Sequence, residues 1–409
     1  MSKSFANYWI PHRWLKVADV VQRFESVHVQ ELKTSKPGDS DMKPLAVAAW
    51  SMLTPLGEDE ATIEALFERR SAFSPQPSPW KLRNDRAAVV PARPAHAARD
   101  GQWQRYLGTY VSRKVLEALS IDVSKPCDRC AFVFATSYGH LIDDAGTDTM
   151  STWARDCVHS LGCDLQPIVV GSGCSSGADA LAVAAAMLDC EAIDRAIVVA
   201  VDIVTPAKRI AHSVLGTMTA SSHKPFDINR SGMLLGEASA AVVLMRSRDC
   251  REHRGELIGI GASNDAFGLT SPDSSGLSVR LALDRALRAA GLTYNDLALY
   301  LAHGTGTQLN DELEAKVVEE VFADNEMLTI VGTKGALGHS LGACGLVEFI
   351  LLLQMLNRRL APAVVGLTNP IGCIAARFPG SEGRSLVSPY GVSVTLGFGG
   401  FNTAVIARA

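Results

Sequence analysis

Residues 168–188 read IVVGSGCSSGADALAVAAAML: a short β-branched run, a turn rich in glycine and serine, and an alanine-rich segment. The β-branched run predicts a buried strand, and the alanine-rich segment predicts a helix over 178–188. Cys174 lies in the turn between them, beside the free amides with which a helix begins. A strand, a turn and a helix in this order are a building unit of α/β folds.

The same alternation recurs from about Pro44 onward and indicates an α/β fold. After the first helix a strand is predicted at 196–201. The later predicted elements are a strand at 297–302, a helix at 311–321, a strand at 328–331 and a helix at 345–356. We therefore expect two related halves, 42–250 and 251–409. Residues 1–41 contain an amphipathic stretch and a turn-rich linker, which predict an appended extension.

Composition limits the functional classes to which the protein can belong. The chain has 409 residues, is 47% hydrophobic and can bury a large core, and its formal net charge of -4 gives no basic field for nucleic acid. The opening residues lack the pattern of a signal peptide, and the apolar run at 346–356 is too short to cross a bilayer. We expect a cytoplasmic protein with no membrane span.

The nine cysteines are expected to be reduced thiols, because their number is odd and no export signal is recognised. Cys127 and Cys130 form a Cys-x-x-Cys pair. No second pair stands at zinc-finger spacing, so a loop at a strand edge is favoured over a metal or redox site.

Cys174 is the candidate nucleophile. The positive end of the helix dipole is expected to lower the pKa of its thiol below about 8.5 and so to increase the thiolate fraction. An isolated cysteine in a turn is by default a packed core residue. The flanking glycines, Gly173 and Gly177, favour exposure at a site instead.

A second glycine-rich loop, AHGTGT at 302–307, places His303 just after a predicted strand. Such a histidine can face a crevice as a catalytic group, or it can be structural with its ring bonded to backbone, and the sequence leaves both open. The hydroxyls of Thr305 and Thr307 could bind a substrate arm or cap the loop.

A third loop, GTKGALGHSLGACG at 332–345, contains Lys334 and His339, and Glu348 follows on the next helix. Pairing of Lys334 with Glu348 would orient His339. The more common arrangement for such charges is a solvated surface pair.

These loops, together with KPFDINRSG at 224–232 and GFGGFN at 397–402, stand in the order found in β-ketoacyl-acyl-carrier-protein synthases. The chain resembles that family of the thiolase superfamily from about Pro44 to its C-terminus. The resemblance implies an α/β, thiolase-like five-layer αβαβα fold made of two related halves. It also implies a decarboxylative Claisen condensation that needs no metal and no organic cofactor.

By this resemblance, Cys174 would take the acyl group from acyl carrier protein. His303 and His339 would assist the decarboxylation of a malonyl thioester and stabilise its enolate. Lys334 and Glu348 would hold His339.

The resemblance also assigns substrate contacts, to Thr305, Thr307, Phe398 and Gly399. The backbone amides of Cys174 and Phe398 would form an oxyanion hole, and the Phe398 side chain would gate the acyl pocket. The expected partner is an acyl carrier protein bearing acyl and malonyl groups, met by a basic patch. The candidates for that patch are Arg69, Arg70, Lys208 and Arg209.

Two features bear on alternatives. A degradative thiolase would have a second cysteine where this chain has GFGGFN, and a decarboxylating paralogue would have lost Cys174. The remaining alternative is a non-catalytic or chain-length-setting subunit of a ketosynthase heterodimer. The expected assembly is a homodimer or a ketosynthase heterodimer. The short stretch from Ala135 to Cys174 and the extension at 1–41 favour specialised polyketide or polyene synthesis over fatty-acid synthesis. Ser231 in place of an aspartate and His212 near a Gly-Phe position are further departures from the family pattern.

Overall fold

The computed structural model describes residues 42–123, 129–143, 149–268 and 270–409. Its helices are α1 (Asp59–Phe67), α2 (Asp100–Ala118), α3 (Met150–Ser160), α4 (Ser176–Asp189), α5 (Pro206–Val214), α6 (Leu277–Ala290), α7 (Gln308–Val321), α8 (Lys334–Leu337) and α9 (Cys344–Arg358). The strands of the first half are β1 (Leu45–Thr54), β2 (Gly57–Glu58), β3 (Ser74–Pro75), β4 (Arg86–Ala87), β5 (Cys130–Ala135), β6 (Ile168–Val170), β7 (Arg195–Asp202) and β8 (Ala238–Arg246). Those of the second half are β9 (Glu256–Asn264), β10 (Leu297–Leu301), β11 (Thr329–Val331), β12 (Leu360–Ala361), β13 (Arg384–Ser385), β14 (Tyr390–Leu396) and β15 (Phe401–Arg408). The predicted extension at 1–41 and Cys127 lie outside the described residues.

The main sheet contains two five-stranded halves with the same strand order, and the short strand β2 pairs with β1 as its eleventh strand. The first half runs β6-β5-β7-β8-β1, and the second runs β11-β10-β14-β15-β9. In each half the second strand is parallel to both of its neighbours, and the last two pairings are antiparallel. Strands β1 and β9 join the halves through the pairs Leu45 with Leu257 and Ala46 with Glu256. This repeat supports our proposal that the chain consists of two related halves that meet near residue 250.

Helices cover both faces of each half-sheet. Helix α2 packs on β1, β7 and β8, and α6 packs on β9 and β15. Helices α4 and α9 contact each other and strands of both halves. The layers therefore follow the order helix, sheet, helix, sheet, helix, which confirms the predicted five-layer fold.

Strand β7 is apolar along nearly its whole length because side chains on both of its faces are buried. Its residues Arg195–Asp202 read RAIVVAVD and are buried on both faces. Ala196 and Val198 face the central helices, whereas Ile197 and Val199 face the outer layer that contains Trp103. Alternate side chains of one strand thus serve two different cores.

The two central helices approach closely at glycines. A Cβ atom on Gly177 would lie 2.7 Å from the backbone nitrogen of Leu346, and one on Gly345 would lie 2.7 Å from that of Ala178. Any larger residue there would force the helices apart. Because α4 follows the turn of Cys174 and α9 follows the loop of His339, this contact brings the two loops together.

The segment Leu341–Arg358 is long and apolar enough to cross a membrane by composition, but 89% of it is buried inside the fold. It is a core helix, as its sequence predicted.

Candidate active site

One cavity of about 470 Å³ brings together side chains from the glycine-rich loops. Cys174, His303 and His339 line it. His303 lies 129 residues after Cys174 in sequence, and His339 lies 36 residues after His303. The fold nevertheless brings all three side chains into one cavity. A cavity of this size can hold a small-molecule substrate or the prosthetic arm of a carrier.

Cys174 lies in a 3₁₀ turn, Gly173–Ser175, directly before α4. Its side chain is 6% exposed and opens into the cavity. The backbone amides of Phe398 and of Cys174 itself lie near enough to the thiol to lower its pKa. Two amides beside one sulfur can also stabilise an oxyanion that forms on a carbon bonded to it.

The expected lowering of the Cys174 pKa is wrong for this structure. Burial raises the pKa of the thiol to about 11, and the opposing effects of the Phe398 amide and of Lys334 do not offset it. Charge on a buried sulfur loses the solvation that water would provide, which outweighs the partial charge of a helix end. The sequence revealed the helix end but not the depth of the burial.

This raised pKa predicts how Cys174 reacts with iodoacetamide. Only the thiolate reacts, so the alkylation rate is expected to rise about tenfold per pH unit from pH 7 to 9 without a plateau. The rate is measured by mass spectrometry of the peptide that contains Cys174, with Cys174→Ala as background. A plateau near neutral pH would instead show the low pKa that the sequence suggested.

The hydrogen bonding of His339 fixes its tautomer. The backbone N–H of Leu341 donates to His339 Nδ1 at 3.2 Å, so this nitrogen is unprotonated and the ring hydrogen is on Nε2. Burial and the nearby charge of Lys334 keep the pKa of His339 well below its ordinary value. His339 is therefore a neutral hydrogen-bond donor.

His303 stands against His339, with ring centroids 5.2 Å apart and the rings nearly perpendicular. Burial, and then Lys334, lower the pKa of His303 well below its ordinary value. Its Nδ1 has no hydrogen-bond partner among the described residues. The cavity thus contains two neutral imidazoles side by side.

Lys334 and Glu348 form a buried ion pair behind the histidines, with Nζ and Oε1 2.6 Å apart. Their side chains are 1% and 2% exposed, so this is not the solvated pair that is usual for such charges. Burial opposes the charge of Lys334, but the nearby acidic groups, with Glu348 first among them, together raise the pKa of the ammonium. Thr333 Oγ1 also donates to Glu348 Oε1, at 3.0 Å.

The ligand atoms of His303, Cys344 and Glu348 lie within 4.8 Å of one another, a spacing that could hold a metal ion. The ammonium of Lys334 already supplies a positive charge to Glu348 in this place. Repulsion between that ammonium and a metal cation opposes binding, so the trio does not fit a metal centre.

Comparison with known proteins gives two matching family models. Residues 145–250 match the N-terminal domain of beta-ketoacyl synthase, and residues 254–368 match its C-terminal domain. Together they span more than half of the 409 residues. The chain belongs to the β-ketoacyl synthase family.

Curated relatives within this family are similar over part of their length. The mitochondrial 3-oxoacyl-[acyl-carrier-protein] synthase of Arabidopsis thaliana is 34% identical over 191 residues, which are 45% of this chain and 41% of that protein. The 3-oxoacyl-[acyl-carrier-protein] synthase 2 of Mycobacterium leprae is 32% identical over 247 residues, which are 57% of this chain and 58% of that protein. The chain thus spans about half the length of the curated relatives it matches.

Solved structures agree on the fold. A beta-ketoacyl synthase from Burkholderia phymatum has a TM-score of 0.77 and 22% identity, over 90% of this chain and 99% of the other. A ketosynthase in complex with its chain length factor, from Xenorhabdus doucetiae, has a TM-score of 0.75 and 22% identity, over 90% and 98%. At this identity the likeness establishes the thiolase-like fold alone.

In this family member the predicted substrate residues also reach the cavity. Thr305, Thr307, Phe398 and Gly399 line it, and the two threonine hydroxyls are 2.9 Å apart. The ring of Phe398 packs against that of His212, with centroids 5.9 Å apart. Burial lowers the pKa of His212 to about 4, so the side chain beside Phe398 is a neutral imidazole.

The sequence analysis did not predict two buried carboxylates that support the His303 loop. Glu314 accepts hydrogen bonds from the backbone N–H groups of His303, at 2.8 Å, and Gly304, at 2.6 Å. Asp311 accepts one from the backbone N–H of Gly306, at 3.1 Å. Burial raises the pKa of Glu314 to about 7. The signal was present: the two acids are three residues apart in the predicted helix and so share one face.

The predicted basic patch is wrong for two of its four residues, Lys208 and Arg209. Lys208 is 2% exposed and pairs with Asp202, and Arg209 is 7% exposed and donates to the backbone oxygens of Gln76 and Asp85. Neither can meet a partner protein. Arg69 and Arg70 are exposed, and Arg70 pairs with Glu68 at 2.8 Å.

Proposed function

We propose that this chain is a β-ketoacyl synthase that condenses an acyl group held on Cys174 with malonyl-acyl carrier protein. The observation that supports it most is the shared cavity of one thiol and two neutral imidazoles. The thiol suits covalent catalysis, and the imidazoles suit stabilisation of an enolate.

The first step transfers the acyl group from the carrier thioester to Cys174. The sulfur attacks the carbonyl carbon, and the amides of Cys174 and Phe398 bind the oxyanion that forms. The carrier thiol leaves and receives the proton that the Cys174 thiol gives up. One thioester is exchanged for another, so this step needs neither oxidant nor cofactor.

The second step begins with the malonyl thioester between His303 and His339. Loss of carbon dioxide leaves negative charge on the thioester oxygen, where N–H donors lower the barrier. His339 provides such a donor at Nε2, because its Nδ1 is occupied by the Leu341 amide. The enolate carbon then attacks the acyl group, and Cys174 leaves as a thiolate that takes a proton from solvent.

Incubation with an acyl carrier protein thioester, followed by intact mass measurement, tests this proposal. We expect one acyl adduct on the wild-type protein and none on Cys174→Ala. A wild-type protein without an adduct would contradict the proposal and favour a non-catalytic or chain-length-setting subunit of a heterodimer. The ketosynthase from Xenorhabdus doucetiae was solved with such a chain length factor, which keeps that alternative in view.

We also assign the enzyme to specialised polyketide or polyene synthesis in the cytoplasm, acting as a homodimer or as part of a ketosynthase heterodimer. The short stretch from Ala135 to Cys174 and the imidazole of His212 beside Phe398 support a pocket unlike that of an ordinary fatty-acid enzyme. Turnover of a panel of saturated and unsaturated acyl carriers decides this point. A strong preference for ordinary saturated primers would contradict the assignment.

A further inference from the structure

The described residues contain a second buried ion pair besides Lys334 and Glu348, formed by Asp202 and Lys208. Asp202 is fully buried at the end of β7, and Lys208 is 2% exposed in α5. Lys208 Nζ donates to Asp202 Oδ1 and, at 3.0 Å, to the backbone oxygen of Ile203. Nothing in the condensation chemistry described above uses this pair.

The second oxygen of Asp202 holds the loop that carries His339. Asp202 Oδ2 accepts the backbone N–H of Gly342 at 2.9 Å and that of Ser137 at 2.9 Å. A Cβ on Gly342 would lie 2.4 Å from the Ser137 nitrogen, so the loop can approach only because this residue is glycine. One carboxylate therefore ties β7 and the segment after β5 to the loop before α9.

The residue directly before this anchor, Leu341, has a strained backbone. Leu341 has φ +46°, a left-handed conformation that costs free energy and persists only where the surrounding structure imposes it. In this conformation its N–H points at His339 Nδ1, 3.2 Å away. The next residue along is Gly342, whose N–H is bound by Asp202.

We propose that the Asp202–Lys208 pair positions His339: it holds the Leu341–Gly342 backbone in the strained form that keeps the imidazole as the Nε2–H tautomer. Lys208 takes part by fixing the orientation of the carboxylate, so that Oδ2 faces the two amides. Asp202 and Lys208 are absent from the residues that line the cavity, so they are positioning and not catalytic residues.

This inference rests on the proposed function for its activity measurement only. Without the anchor, Leu341 can relax, its N–H leaves Nδ1, and the ring can carry its hydrogen on either nitrogen. Decarboxylation of the malonyl thioester would then lose an aligned donor. Acyl transfer to Cys174 uses the amides of Cys174 and Phe398 and would be affected little.

The test uses Asp202→Leu, which has no acceptor for the two amides, and the double variant Asp202→Leu/Lys208→Met in the full chain. The single variant leaves the Lys208 charge buried without a partner and can fail to fold, whereas the double variant leaves no unpaired charge. In each variant the rates of malonyl-carrier decarboxylation and of acyl adduct formation are measured separately. The ring nitrogens of His339 are observed by ¹⁵N NMR with labelled histidine, and the His339 signals are assigned from a His339→Gln spectrum.

We expect a pyrrole-type Nε2 signal in the wild-type protein and mixed tautomers in the double variant. Decarboxylation should fall by about 10- to 100-fold, since a misplaced donor has effects of that size. Adduct formation should stay within about threefold, since it does not use His339.

The matched control is Glu256→Gln/Arg408→Met. Glu256 is 6% exposed and accepts from Arg408 Nε at 2.7 Å, at the start of β9 and at the opposite end of that strand from the site. This pair, in which the Arg408 side chain is 39% exposed, should be removable without change in either reaction or in the His339 signals.

An unchanged His339 spectrum in a folded double variant overturns the inference, whatever happens to the rates. An equal loss of both partial reactions also overturns it, because that result indicates a general structural role. If the wild-type protein catalyses neither partial reaction, the proposed function fails, and the ring-nitrogen spectra still decide whether Asp202 sets the tautomer.

Discussion

Cys174→Ala is expected to abolish condensation while the protein still decarboxylates malonyl-acyl carrier protein. The covalent route depends on one sulfur, and loss of a nucleophile of this kind lowers turnover by at least about 10⁴-fold. Decarboxylation depends on His303 and His339, whose positions come from other segments of the chain. The measurement compares carbon dioxide release with formation of the β-ketoacyl product.

Cys344→Ala is the matched control for this result. Cys344 is 2% exposed, and its Sγ donates to the backbone oxygen of Cys174 at 3.4 Å, but it does not line the cavity. Burial raises the pKa of Cys344 well above its ordinary value. We expect condensation within about threefold of wild type, as for a buried residue without a chemical role. Loss of decarboxylation together with condensation in Cys174→Ala would contradict the separation of the two steps.

Lys334→Met is expected to lower both stability and activity. Removing one member of a buried ion pair leaves Glu348 charged and unpaired, which costs about 3–5 kcal/mol of unfolding free energy. It also removes the charge that helps to keep His303 and His339 neutral. We expect condensation to fall by about 10- to 100-fold, because the two donors lose their alignment. Chemical denaturation and turnover are measured on the same preparation.

The double variant Lys334→Met/Glu348→Leu separates the two effects. It leaves no buried charge, so most of the unfolding free energy should return while condensation stays low. Recovery of activity together with stability would show that the pair serves the fold alone. Arg280→Met is a surface control: Arg280 and Glu320 are both 38% exposed, and breaking their pair should cost less than about 1 kcal/mol.

Much of the fold could be predicted because its signals are local. The helix predicted at 178–188 is α4, Ser176–Asp189, and the helix predicted at 345–356 is α9, Cys344–Arg358. The apolar run that indicated a strand at 196–201 is β7, Arg195–Asp202. Periodicity and turn residues encode such elements directly. The five-layer order came from the resemblance, since element patterns alone do not specify which layers meet.

The candidate site was predicted less completely, because burial depends on distant parts of the chain. Lys208 reads as a surface charge in its own helix, and only the contact with Asp202 inside the fold shows otherwise. The pKa of Cys174 likewise follows from its burial and not from the helix end that its sequence marks. The residues that line the cavity and the Lys334–Glu348 pair behind them stood in recognisable motifs, whereas the buried charges of Asp202, Asp311 and Glu314 did not.

The most direct test of the account is a chase of the isolated acyl-Cys174 protein with malonyl-acyl carrier protein, followed by intact mass. The acyl group should leave Cys174 and appear on the carrier lengthened by two carbons, with one carbon dioxide released for each acyl group consumed. An acyl group that stays on the protein, or that leaves only as the free acid, would contradict the account.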